Sequence, residues 1–144
     1  MRRRVTGLLL TGFVGLAACG PNLAAGRWQT SKPAGERRML PKGKTLLQSH
    51  SPNRRLTLLV RDEGEKGDFF WRTLYVRQGG SYTRLLTANE VRSVRWLGSP
   101  ARVRFTMDAA TGPSEMTRSE VIYTPSTRTI QTRMLRKLQV EGAG

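Results

Sequence analysis

From residue 54 onward the hydrophobic side chains recur at every second position, and that period rules most folds out. In residues 55–61, Leu56, Leu58 and Val60 share one face while Thr57, Leu59 and Arg61 take the other. A period of two belongs to a pleated strand with one face toward a core. The same alternation returns in residues 69–77 (Phe70, Leu74, Val76), 82–86, 91–96 (Val94, Trp96), 101–107 (Val103, Phe105, Met107), 120–124 and 129–134. Between these runs lie Gln78-Gly79-Gly80-Ser81, Gly98-Ser99-Pro100 and Pro125-Ser126-Thr127-Arg128. Such clusters turn a chain sharply, because glycine accepts the positive φ of tight hairpins and proline starts turns. No comparable stretch carries the 3.6-residue period of an amphipathic helix.

The expectation is therefore an all-β domain, residues 46–140. It is one antiparallel meander of about six or seven strands, curled or folded into a compact sandwich. Leu58, Val60, Leu74, Val76, Val94, Trp96, Val103 and Phe105 are the expected core. Each large side chain contributes roughly 1.5–3 kcal/mol when buried, before chain entropy is counted. Trp71, Thr73 and Tyr75 point to the opposite face of their strand, which implies some cover there too. The acidic run 62–68 reads as a solvated hairpin tip and 108–117, rich in small residues, as a loop. Residues 134–140 fit either a frayed strand or a short helix.

Ser51-Pro52-Asn53-Arg54-Arg55-Leu56-Thr57-Leu58 resembles the Ser-Pro-Asp-Gly-Lys-x-Leu opening of blades in Tol-associated periplasmic β-propellers. A fainter echo runs from Val91 to Trp96 and through Gly98-Ser99-Pro100 to Phe105, with Val103 47 positions after Leu56. The resemblance implies a blade-like sheet. It departs at Asn53-Arg54, where the pattern has Asp-Gly, and about 85 residues are too few for the four blades of a closed propeller.

The amino-terminal segment has a different character. Arg2, Arg3 and Arg4 precede an uncharged, mostly apolar run from Val5 to Ala18, 14 residues long. That length suits the apolar region of an export signal and falls short of a resident membrane helix. The run ends in Leu16-Ala17-Ala18-Cys19, which resembles the lipobox of bacterial lipoproteins. The resemblance implies cleavage of residues 1–18 between Ala18 and Cys19, a diacylglycerol thioether on Cys19, and often an acylated new amino group. Two or three acyl chains anchor durably where one is marginal. Gly20 in place of aspartate implies sorting to the periplasmic face of the outer membrane in a Gram-negative cell, and otherwise anchoring at the cell membrane. Residues 19–45, punctuated by Pro21, Pro33, Pro41, Gly26, Gly35 and Gly43, read as lipidated terminus and flexible linker. Trp28 fits either the membrane interface or the surface of the domain. Met39-Leu40 and Leu46-Leu47 suggest a short leading strand.

Charge bears on partners. Lysine and arginine number 25 against 10 acidic residues; without the three leader arginines 22 remain, a net +12. A chain this basic is drawn to polyanions. Export removes nucleic acid from consideration and leaves lipid headgroups, anionic glycans and acidic envelope proteins. Arg77, Arg92, Arg95, Arg102 and Arg104 recur along the strands as candidate contacts, Arg95 with Arg77 and Arg92 with Arg102 or Arg104 forming stripes. Arginines on a strand face also simply keep it solvated and block edge-to-edge aggregation.

Catalytic patterns are sparse. His50 beside Ser51 lacks an orienting acid, and one histidine with one cysteine is too small a set for zinc. There is no phosphate-cradling glycine loop and no Gly-x-Ser-x-Gly elbow, so no cofactor is expected. The leading expectation is a non-enzymatic, membrane-anchored lipoprotein whose β domain binds another envelope component. An immunity or inhibitor lipoprotein against a toxin or hydrolase is the second, and an enzyme using Asp108, Glu120 or His50 the third.

Overall fold

A computed structural model describes residues 26–64 and 71–139. Leu16 to Cys19 lie outside these residues, as do 65–70. Among the described residues ten strands form two five-stranded antiparallel sheets that pack face to face without closing into a barrel. The chain first lays down β1 (Gln29–Ser31) and β2 (Gly35–Arg37). It then builds one sheet from β3 (Lys44–His50), β4 (Leu56–Asp62), β5 (Arg72–Gln78) and β6 (Ser81–Ala88). The second sheet follows from β7 (Glu90–Leu97), β8 (Arg102–Gly112), β9 (Glu115–Thr124) and β10 (Thr129–Gln139). The spatial orders are β2-β6-β5-β4-β3 and β1-β10-β9-β8-β7. We call these the first and second sheets.

Each sheet is a four-strand meander with one short strand from the amino-terminal segment added at an edge. The expected all-β sandwich is observed, with more strands than expected. Two strands, β1 and β2, fall where the composition suggests linker, and β3 begins within it at Lys44. Residues 108–117 form the end of a hairpin and not a long loop: β8 and β9 extend into them to a turn at Pro113-Ser114, with Ala109 opposite Thr117 and Ala110 opposite Met116. Residues 134–139 are strand, kinked by a bulge between Met134 and Arg136.

The core lies between the sheets. Leu58, Leu74, Val76, Val103, Phe105, Val121 and Tyr123 are fully buried there, joined by Leu56, Val60, Leu85 and Ile130. Val94 and Trp96 pack against this cluster while partly exposed, because β7 is an edge strand. Side chains tie the sheets at both sides. The Trp96 indole N–H donates to Ser49 Oγ at 3.0 Å, and on the other side Arg128 of the β9–β10 turn pairs with Glu36 of β2. Lys32, just after β1, donates from Nζ to the Thr127 carbonyl at 2.9 Å and fastens β1 to that same turn.

Two connections position the functional surface. Asn89 alone separates β6 from β7 and marks the passage from the first sheet to the second. Its backbone N–H donates to the Asp108 carbonyl, and its side-chain oxygen accepts from the Ala110 N–H at 2.8 Å. Residues 38–43 join β2 to β3, which are opposite edges of the same sheet. Four strand spacings separate those edges, about 19 Å, and six linking residues reach only about 23 Å when extended. The segment must therefore run as a nearly taut strap across one face. Arg61 shows which face: its Nη2 donates to the Pro41 carbonyl at 2.8 Å and its Nη1 to Thr45 Oγ1 at 2.8 Å. Arg61 alternates with core-facing Val60, so the strap crosses the outer face, where Leu59 and Tyr75 are buried. Gly43 permits the tight fit, since a Cβ there would lie 2.5 Å from the Asp62 carbonyl oxygen.

Candidate anion-binding site

The outer face of the first sheet carries one register row from edge to edge: His50, Thr57, Arg77, Tyr82 and Arg37 are successive cross-strand partners. This row ends the sheet where the β3–β4 and β5–β6 turns emerge together, as alternate turns of a meander do. Arg54 and Arg55 come from the first turn, Gly79 and Gly80 from the second, and Arg38 from the strap. With Thr57, Arg77, Gln78 and Tyr82 they surround an open cavity of about 720 Å³. Of its nine described lining residues four are arginines and none is acidic.

The β3–β4 turn is held by its own side chains. Ser51 Oγ donates to Asn53 Oδ1 at 2.7 Å and accepts the Leu56 N–H at 3.1 Å. Asn53 Oδ1 also accepts the Arg55 N–H at 3.0 Å, and the Arg54 N–H bonds back to the Ser51 carbonyl at 2.8 Å. This closure drives Arg54 to φ 61°, a left-handed conformation. Arginine thus occupies the place where the blade-like pattern has glycine. Below the row, the Tyr75 hydroxyl donates to Glu63 Oε1 at 2.9 Å. Burial, reinforced by that bond to a carboxylate, pushes the phenol pKa up to about 12.

Electrostatics separate the two outer faces. On the second sheet, Asp108 is buried and held by Arg118 at 2.8 and 2.9 Å and by Arg92 at 2.7 Å. The hydrogen bond from Arg118 keeps the Asp108 pKa below the ordinary aspartate value. Glu120 is likewise buried and shared by Arg104 and by Arg133 at 2.8 Å. Arg133 also lies over the Trp28 ring, 4.7 Å from its centre, which seats Trp28 on the domain. On the first sheet, Arg38, Arg54, Arg55 and Arg77 form no salt bridge with any described residue. No protein-family model, curated protein or solved structure matches the chain.

Of the arginines singled out in the sequence, Arg77 alone lines this cavity. Arg95 stands opposite Arg104 on the second sheet, beside Ser93, Thr106 and Glu120. Arg102 begins β8 opposite Leu97, and Arg92 is opposite Thr106. The expected stripes are therefore corrected. Arg77 and Arg95 cannot share one, because the chain changes sheets at Asn89, and Arg92 is level with neither Arg102 nor Arg104. Nor do the three candidate catalytic groups converge. Asp108 and Glu120 are each held by two arginines, and His50 Nδ1 hydrogen-bonds Thr57 Oγ1 at 3.0 Å on the other sheet. Among the described residues no three histidine, cysteine, aspartate or glutamate side chains gather as metal ligands.

Arg38, Arg54 and Arg55 are the contributors that strand periodicity misses. The signal for Arg54 and Arg55 is a basic pair in a turn at the same end of the sheet as the Gly79-Gly80 turn. Arg38 has no local signal, since its place depends on the strap crossing the sheet.

Proposed function

We propose that this chain is a non-enzymatic, membrane-anchored envelope lipoprotein whose β domain holds an anionic envelope component in the Arg38–Arg54–Arg55–Arg77 cavity. The carrying observation is that four arginines line one opening with no acid among its described lining residues. Guanidinium groups grip oxyanions through paired N–H donors, and a net +12 chain adds long-range attraction. Acylated Cys19 holds the domain at the membrane, outer-membrane periplasmic face where the cell has one, and tethering raises the local concentration of any envelope ligand.

Two measurements test the parts separately. Mass spectrometry of the mature chain is expected to find Cys19 as the first residue with its acyl chains; a bare thiol preceded by the intact leader refutes the anchor. Crosslinking in intact envelopes should capture an anionic component with the wild-type chain. Capture should fall for the Arg54→Ala/Arg55→Ala/Arg77→Ala variant and for Cys19→Ser. Equal capture by the triple variant refutes the cavity, and equal capture by Cys19→Ser removes the role of tethering.

A further inference from the structure

We infer that the arginine cavity selects a phosphomonoester over a carboxylate, and that the ligand carries an organic body beyond the phosphate. The inference rests on the anion-binding reading above and narrows its chemistry. A carboxylate has one charge and two oxygens, which two bidentate guanidiniums already saturate. A phosphomonoester has three terminal oxygens and about −1.5 to −2 charge at neutral pH. Four arginines around one opening exceed what a carboxylate can engage and match what a phosphate offers.

Volume supplies the second half. A cavity of about 720 Å³ is far larger than a phosphate group, and lies in the range of sites for drug-sized ligands. The flank made by Gly79 and Gly80 is open, since a Cβ at either glycine would meet nothing within 4 Å. The half-buried Tyr82 ring, cross-strand from Arg77, gives a sugar or glycerol moiety a surface to lie on. Arg54 presents its side chain at this opening from a left-handed turn position, φ 61°, a conformation that Ser93 and Arg128 adopt elsewhere.

The full mature chain in neutral detergent is titrated calorimetrically with glucose 1-phosphate and with glucuronate, which place phosphate or carboxylate on a similar sugar. The expected result is saturable binding of glucose 1-phosphate, about tenfold or more tighter than glucuronate. Arg54→Ala and Arg77→Ala should each weaken it about tenfold with thermal stability retained. Equal affinity for both sugars overturns phosphate selection while leaving the anion site intact. Absence of saturable binding to either also overturns this inference; the envelope crosslinking above then decides separately whether the cavity binds a larger anion.

A reconstituted arm separates two sources of the same chemistry. In phosphatidylcholine vesicles containing phosphatidic acid, a lipid phosphomonoester competes, and glucose 1-phosphate binding weakens more than with the diester phosphatidylglycerol. If the two anionic lipids act alike, the matching ligand is a soluble phosphorylated sugar. Unchanged binding in the arginine variants would overturn the assignment whichever source applied.

Discussion

Replacing Arg54 by glycine should make the protein more stable and a poorer binder at once. Arg54 sits at φ 61° because the Ser51–Asn53 hydrogen bonds close the turn around it. A side-chain-bearing residue pays roughly 1–2 kcal/mol for the left-handed conformation. Glycine escapes that cost but gives back about 0.5–1 kcal/mol in unfolded-chain entropy. The net expectation for Arg54→Gly is a gain of about 0.5–1 kcal/mol, or about 2–4 °C in Tm for a domain of this size. Arg54→Ala is the control. It removes the same guanidinium and the same repulsion from Arg38, Arg55 and Arg77, yet keeps a Cβ at positive φ. Any stability difference between the glycine and alanine variants therefore reports the backbone alone. Urea denaturation of the three chains measures it, and titration with glucose 1-phosphate should show both variants weakened about equally. If Arg54→Gly proves no more stable than Arg54→Ala, the turn stores no strain and the reasoning fails.

Three further outcomes are expected. Asp108→Asn should cost about 2 kcal/mol at neutral pH, because it leaves Arg92 and Arg118 facing a neutral amide. The folded pKa of Asp108 is lowered, so its contribution is present above the unfolded value near 3.8. It is lost as pH falls through the lower folded value, and urea midpoints of wild type and variant should converge in acid. Tyr75 has the opposite sign: with a pKa raised from 10.0 to about 12, its contribution is complete below pH 10 and disappears as pH rises through 12. Burial raises the Tyr123 pKa as well, so ultraviolet titration should find late-ionising tyrosines with one fewer in Tyr75→Phe, and a set unchanged by that substitution would refute the buried bond to Glu63. Gly43→Ala should destabilise by about 1–3 kcal/mol, since its Cβ must displace the Asp62 backbone; a thermal melt unchanged from wild type would show that the strap is not tightly seated.

The sequence made the regular part of this fold legible because the regular part is built on local alternation. Leu58, Val60, Leu74, Val76, Val103 and Phe105 announce their common face through period two, and the structure buries all six. What stayed hidden depends on contacts distant along the chain. β1 and β2 are three residues each, with no hydrophobic alternation to read, and form only because sheet edges are available to pair with them. Ala109, Ala110 and Thr111 look like loop residues, yet β9 extends alongside and keeps them in strand. The passage at Asn89 leaves no compositional mark, although it decides which arginines can be neighbours. The cavity follows the same division: Arg77 is visible on its strand, whereas Arg38 reaches it only through a strap whose course is set by the positions of β2 and β3.

Edge protection accounts for part of the arginine content and fails at the cavity. Charged side chains on an exposed edge prevent strands from pairing with another molecule, and Arg92 and Arg95 lie on β7, an edge. Arg77 lies on β5, at the centre of its sheet with paired strands on both sides. A solvated-face explanation fares no better. On the second sheet Arg92, Arg118, Arg104 and Arg133 gather around Asp108 and Glu120, two to each carboxylate. Arg95 and Arg102 form no salt bridge with a described residue but do not cluster four to an opening. At the end of the first sheet four arginines line one opening with no carboxylate among its described lining residues. Like charges gathered around one opening repel one another, so their Coulomb interaction gives the fold nothing for gathering them. An external anion turns that repulsion into attraction, and a phosphomonoester would offset about half of the four positive charges.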